Sequence, residues 1–187
     1  MTTVDFFDGL IEALTDGTSP ALVDADTFRD SMARVCAPVT IVATVGFDGP
    51  YATTVSAFTS LSLDPPMVMV SLGKQSNLLS HVRSSRRISV NVLAVDQDDL
   101  ALRFARSGEN KFSGVAWQLH DGLPQFPGTA TWLSCRVDRF VDGGDHAILI
   151  ATVAEAEISD HPHWCMPATS SAPTTAWQGE ASEGRQR

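Results

Sequence analysis

Thr53-Thr54-Val55-Ser56-Ala57-Phe58-Thr59-Ser60-Leu61-Ser62-Leu63-Asp64-Pro65-Pro66 mixes β-branched and small hydroxyl residues and ends at a double-proline corner. Such a composition favours extended backbone, and Tyr51 to Leu63 reads as one strand. Alternation along it places Thr54, Ser56, Phe58 and Ser60 on one face. Small hydroxyls beside free backbone groups suit a polyhydroxylated, phosphorylated ligand, because they donate hydrogen bonds without crowding it. The same composition also describes a strand whose solvent face is simply Ser and Thr.

Working outward, Val39 to Val45 is rich in β-branched residues, and Gly46 to Pro50 is a turn cluster that links it to the hydroxyl strand as a hairpin. Met67 to Leu72 follows the proline corner and is nearly all apolar. Ile88 to Val95, Trp132 to Val141 and His146 to Ile158 complete at least six strands, the last two meeting at the turn Asp142-Gly143-Gly144-Asp145. Helical spacing appears three times within this region. One helix is signalled by Asp26 as N-cap with Phe28, Met32 and Val35, and must stop before Pro38. A second starts near Ser76 with Leu78, Leu79 and Val82, and a third is capped by Asp96 and carries Leu100, Ala101, Phe104 and Ala105. Strands with helices inserted, not alternating, predict a mainly β protein with short helices, an antiparallel barrel and not a Rossmann sheet. The G-x-G-x-x-G fingerprint is absent, so any dinucleotide binds by other means.

The 187 residues suffice for one ordinary domain, and the formal charge of −9 argues against a nucleic-acid partner. No apolar run reaches the roughly 20 residues of a membrane span, and the start of the chain lacks a signal-like stretch, so a cytoplasmic location is expected. The expected organisation is an N-terminal helical extension over 1–25, with Phe6, Phe7, Leu10, Ile11 and Leu14 on one face, a β domain over 26–160, and an irregular, mobile tail over 161–187. Cys36, Cys135 and Cys165 lack any two-residue spacing and are expected to be reduced and mostly buried. His161, His163 and Cys165 lack a further ligand nearby, and no metal is expected.

Three more segments carry chemistry. In Ser71 to Asn77, Gly73 frees the backbone after a strand, Lys74 supplies a cation, and Ser76 and Asn77 stand where unsatisfied helix N–H groups point outward, an anion site or an ordinary capped helix. In Arg103 to Gly114, three cations and two aromatics surround a glycine; they could grip a phosphate and cover a ring, or stabilise a helix C-terminus. Lys74 and Lys111 are the only lysines. His146, after the Asp142–Asp145 turn, puts an imidazole on a rigid hairpin.

In this order the segments resemble the flavin reductase-like family, with the FMN-binding split-barrel fold. The resemblance runs from about Phe28 to Ile158 and is carried by Phe28 to Met32, Thr54 to Pro66, Val90 to Leu93, Phe104-Ala105 with Lys111 to Gly114, and Gly144-Asp145-His146. It implies an antiparallel split β-barrel and an NAD(P)H:flavin oxidoreductase that passes hydride from nicotinamide C4 to flavin N5. The Arg103 to Gly114 stretch is particularly similar to reductase components of two-component flavin monooxygenases. The resemblance implies FMN or FAD along Thr53, Thr54, Val55, Ser56 and Ala57, with Ser60 close by. It also implies a phosphate at Ser71, Lys74, Ser76 and Asn77, closure by Lys111 and Phe112, and nicotinamide, from NADH or NADPH, near His146. A homodimer and a transient monooxygenase partner follow from the same likeness. The chain departs from the family pattern at Ser56-Ala57, where Asn-Ser is frequent, at Ala151, where glycine is common, and after Asp160, where an aromatic closing strand is missing. A split barrel holding a tight flavin or a deazaflavin, and a flavin carrier without turnover, are the alternative readings.

Overall fold

The computed structural model describes residues 22–108 and 110–163; the expected helix within 1–20 and the tail beyond 163 lie outside them. The chain divides into two compact units, residues 1–34 and 35–187. In the first, helix α1 (Ala25–Met32) is capped by Asp24, whose carboxylate accepts from the N–H groups of Asp26 and Thr27 at 3.1 and 2.9 Å. The cap is therefore two residues earlier than the expected Asp26. Asp26 instead sits in the first turn and pairs with Arg29. The Thr27 hydrogen bonds hold the Asp24 carboxyl below its usual range.

The second unit contains β1 (Thr40–Gly46), β2 (Gly49–Val55), β3 (Phe58–Leu63), β4 (Pro66–Gly73), α2 (Asn77–Ser85) and β5 (Arg87–Val92). Then follow α3 (Asp98–Ala105), β6 (Gln118–His120), β7 (Leu123–Gln125), β8 (Thr131–Gly143) and β9 (His146–Ile158). Seven strands form one antiparallel sheet in the order β2-β1-β5-β8-β9-β4-β3, and β6 pairs with β7. The two ends of the large sheet, β2 and β3, do not pair, so the sheet wraps a core without closing. This is the expected split, antiparallel arrangement.

The interior cluster draws Val42, Val55, Val70, Val90 and Leu149 from the strands and Leu78, Leu79 and Val82 from α2. On the opposite face of β1, Ile41 and Ala43 pack with Leu93, Ala101, Phe104 and Phe126 beneath α3. Burial on both faces explains why Val39 to Val45 lacks polar alternation. Thr40 and Thr44 are buried there because their hydroxyls donate to the oxygens of Val55 and Arg87, each at 2.7 Å.

Tyr51 to Leu63 is two strands, not one. β2 ends at Val55, Ser56 bends, and the Phe58 N–H donates to the Ser56 oxygen at 2.9 Å before β3 begins. β2 then pairs with β1 and β3 with β4, so Thr54 and Ser60 belong to opposite ends of the sheet order and do not share a face. The hydroxyl pattern continues across the corner, which is why alternation alone does not reveal it.

Three smaller corrections follow. Helix α3 starts after Gln97, not at an Asp96 cap, because the Gln97 side chain is held between the Ala94 N–H and the Pro127 oxygen. The β6–β7 hairpin turns on Asp121 and Gly122, both at positive φ, the geometry an Asp-Gly pair favours. Cys36 is exposed and disulfide-bonded, not a buried thiol, whereas Cys135 is free and buried as expected.

Candidate functional site

The predicted residues gather in two places joined by the Val55-Ser56-Ala57 corner. The first lies where the end of β2 meets the C-terminus of α3. The Thr54 hydroxyl donates to the Ala101 oxygen at 2.6 Å and the Thr53 hydroxyl to the Phe104 oxygen at 3.4 Å. The Lys111 ammonium donates to the same Phe104 oxygen at 3.1 Å and to the Ala52 oxygen at 3.5 Å. The Phe104 oxygen is one of the carbonyls that a helix leaves without partners at its C-terminus, whereas the Ala52 oxygen belongs to β2. Burial pushes the Lys111 pKa down.

The loop that carries Lys111 is tied to α3 from the other side. The Arg103 guanidinium donates to the main-chain oxygens of Lys111, at 2.7 Å, and of Ser113. Phe112 lies within an aromatic group, edge-on to Phe104 at 5.1 Å and to Trp117 at 5.2 Å, and stacked on Phe126 at 5.8 Å. Arg103, Lys111 and Phe112 thus brace the segment around Gly108, the structural alternative that the helix-end charges left open.

The second place lies where β4 runs into α2 beside the β8–β9 turn. The Ser71 N–H donates to the Ala57 oxygen at 2.9 Å, which seats the β2–β3 corner against β4. Gly73 pairs with His146, and the Lys74 N–H donates to the Asp145 oxygen at 2.9 Å. Ser76 is the N-cap of α2 but makes no side-chain cap hydrogen bond. The first N–H groups of the helix are left uncapped by that hydroxyl, beside an exposed Lys74 and an exposed Asn77.

Two acidic partners there were not singled out from the sequence, although both lie in the turn that was. Asp142 Oδ1 stands 3.3 Å from Lys74 Nζ, and Asp145 Oδ1 stands 2.7 Å from His146 Nδ1. The His146 hydrogen bond, above all other causes, lowers the Asp145 pKa. An acceptor on Nδ1 orients the ring and leaves Nε2 to face outward partners.

Ser56 is half-buried at the corner and Ala57 is exposed, while the Val55 side chain belongs to the interior. Ser60 is exposed on edge strand β3, beside the register shift between Ser60 and Ser62. The fold therefore brings Ser56, Ala57, Ser71, Lys74, Ser76, Asn77 and His146 to one end of the sheet, and Thr53, Thr54, Lys111 and Phe112 to the α3 side of β2. A flavin nucleotide fits this donor set in kind: an uncapped helix start and a lysine for its phosphate, and small residues with free backbone at the corner for its ring.

Comparison with known proteins agrees. Residues 32–168 match the sequence profile of the flavin reductase like domain. The chain is 38% identical over 136 residues to the reductase component of a 4-nitrophenol 4-monooxygenase/4-nitrocatechol 2-monooxygenase of Rhodococcus opacus, covering 72% of this chain and 73% of that one. It is 37% identical to a probable flavin reductase of Rhizobium meliloti, covering 73% of this chain but only 44% of that longer relative. Among solved structures, the NADH:FAD oxidoreductase SgcE6 of Streptomyces globisporus C-1027, in complex with NAD and FAD fragments, superposes with a TM-score of 0.74 at 29% identity. That match covers 83% of this chain and 99% of that one. With the open antiparallel barrel, the corner at Ser56-Ala57 and these similarities, the chain belongs to the flavin reductase-like family.

Proposed function

We propose that this protein reduces FMN or FAD with NADH or NADPH and releases the reduced flavin to a partner monooxygenase. The observation that carries the proposal is the Ser71–Ala57 hydrogen bond, which sets the hydroxylated corner beside the uncapped start of α2 and the His146 hairpin. Family membership and the reductase-component relative support the same activity.

When bound, the flavin supplies the hydride acceptor at N5, and the protein's task is to stack two flat rings at about 3.5 Å and keep them aligned. In this reading the backbone of Val55 to Ala57, with the Ser56 hydroxyl, lies along the ring and ribityl chain. Lys74, the Ser76 hydroxyl and the Asn77 N–H take the phosphate, so Lys74 exchanges its Asp142 contact for the ligand. Ser71 seats the corner, and Ser60 lies further out on β3. Thr53, Thr54, Lys111 and Phe112 act by bracing α3 and the following loop against β2. His146, its ring held by Asp145, places the nicotinamide.

A homodimer is part of the proposal, supported by edge strand β3, whose Leu61 and Leu63 are both exposed. A cytoplasmic location is proposed as well; among the described residues no helix is long and apolar enough to cross a membrane. The test is NADH and NADPH oxidation with FMN, FAD and riboflavin in turn. Saturation with free flavin supports the reductase; a protein that binds flavin yet oxidises neither nicotinamide overturns it in favour of a carrier.

A further inference from the structure

Away from the corner, the β6–β7 hairpin lies against β8 and β9 and makes a side-chain cluster that flavin reduction does not use. Glu155 and Glu157 stand two apart on β9 and so share a face, opposite Ser134 and Trp132 of β8. The hairpin delivers His120 between them: Nε2 is 3.0 Å from Glu155 Oε1 and Nδ1 is 3.4 Å from Glu157 Oε1. One ligand atom from each of the three lies within 4.8 Å of the others. We propose that His120, Glu155 and Glu157 bind a first-row divalent transition-metal ion, of which Zn²⁺ is the best fit.

The spacing approaches that of a shared ion. Ligand atoms held at about 2.0–2.2 Å from a tetrahedral Zn²⁺ stand roughly 3.3–3.6 Å apart. Glu155 and Glu157 meet opposite nitrogens of the His120 ring, so binding one ion requires one carboxylate to swing to the other nitrogen while the three draw together from within 4.8 Å. The charge balance also asks for a cation. Among the described residues, the ion pairs of Glu155 and Glu157 run only to His120, whereas the nearby Arg87 is engaged by Asp121. A protonated His120 ring offsets one of the two carboxylate charges, whereas a divalent ion in place of that proton offsets both. The imidazole nitrogen favours Zn²⁺, Ni²⁺ or Co²⁺ over Mg²⁺ and Ca²⁺, which prefer all-oxygen sites.

The surroundings orient the ligands as outer partners do in metal sites. The Gln125 amide donates to the second oxygen of Glu157, and Gln118 donates to Gln125 at 2.8 Å. The His120 ring lies 4.5 Å from the ring of the buried Trp132. A cavity of about 290 Å³, lined by His120, Gln125, Trp132, Glu157 and Ser159 among others, adjoins the cluster and leaves room for water ligands. A bound ion would clip the β6–β7 hairpin to β9 and so hold Phe126, which stacks on Phe112 of the loop beside α3.

The test uses the full chain stripped with EDTA and then titrated with Zn²⁺, with Co²⁺ as a spectroscopic probe and Mg²⁺ as control. Zn²⁺ at about 100 times its Kd should raise Tm by about 5–10 °C. Co²⁺ should give visible d–d absorption, and Mg²⁺ should do neither. His120→Asn and Glu157→Gln should each abolish the Zn²⁺-induced shift. Glu155→Gln, at an exposed position that leaves folding intact, should lower Zn²⁺ affinity at least tenfold. No Zn²⁺ shift and no Co²⁺ spectrum in the parent chain would mean that an imidazole–carboxylate contact is all the cluster makes. A shift that survives in the variants would place the ion elsewhere in the chain. Either result overturns the proposal.

Discussion

The Lys111 ammonium donates at 3.1 Å to the main-chain oxygen of Phe104, one of the last carbonyls of helix α3, which also accepts from the Thr53 hydroxyl. The Lys111 side chain closes the end of that helix, and the Arg103 guanidinium ties the main chain at Lys111 and Ser113 to the same end.

Replacing Lys111 by Met should lower stability by about 1–2 kcal/mol at neutral pH, through loss of a charge-assisted hydrogen bond. The pH dependence has a definite sign. Burial lowers the folded-state pKa of Lys111 below that of the unfolded chain, so the folded protein sheds this proton first. Stability relative to Lys111→Met should therefore rise as pH climbs through the lowered value towards about 10.4, and fall again on return to neutral. Urea denaturation of both proteins at pH 7.5 and at pH 10 would check it; a constant difference would contradict it.

Thr54→Val keeps the shape of the side chain but removes the 2.6 Å hydrogen bond to the Ala101 oxygen. A loss of about 1 kcal/mol is expected, measured by urea unfolding. Because the residue braces α3, the Kd for FMN, read by fluorescence quenching, should change less than threefold. A large loss of flavin affinity with unchanged stability would instead make the hydroxyl a direct flavin contact.

His146→Ala should reduce kcat/KM for NADH by about tenfold or more, equivalent to roughly 1.4 kcal/mol, and leave flavin Kd nearly unchanged. Asp145→Asn, which replaces the ring's acceptor, should show a smaller loss of the same kind. Steady-state kinetics alongside flavin titration separates the two parameters, and an unaltered rate in His146→Ala removes that residue from the mechanism.

Burial pushes the Cys135 thiol up to about 12. At pH 8 only about one part in ten thousand is thiolate, so the group is chemically silent in the native fold. Ellman's reagent should give the same native titre for the parent and for Cys135→Ser, while in guanidinium the variant should release one thiol fewer. Rapid native labelling of Cys135 would show that the β5–β8 core opens readily.

Local pattern was enough to reveal most elements. The apolar faces of α2 and α3, the strand over Val39 to Val45 and the Asp142–Asp145 turn rest on neighbours within a few positions, whose spacing is written in order along the chain. The short β6–β7 hairpin was not read from the sequence, although Asp121-Gly122 suits two successive positive φ angles.

What only the tertiary structure decided are the choices made by partners distant in sequence. Thr54, Ser56 and Ser60 keep one alternating register through the corner, broken only by Phe58, and the corner exists because β2 finds its ladder on β1 while β3 finds its own on β4. Lys111 and Arg103 became braces because the chain returned them to carbonyls at the end of α3. His120 met Glu155 and Glu157 across 35 and 37 positions only because the hairpin folded onto β9. Spacing along a chain records which residues can share a helix or strand face; which backbone groups are left to be satisfied, and by whom, is settled only when the sheet assembles and water is excluded.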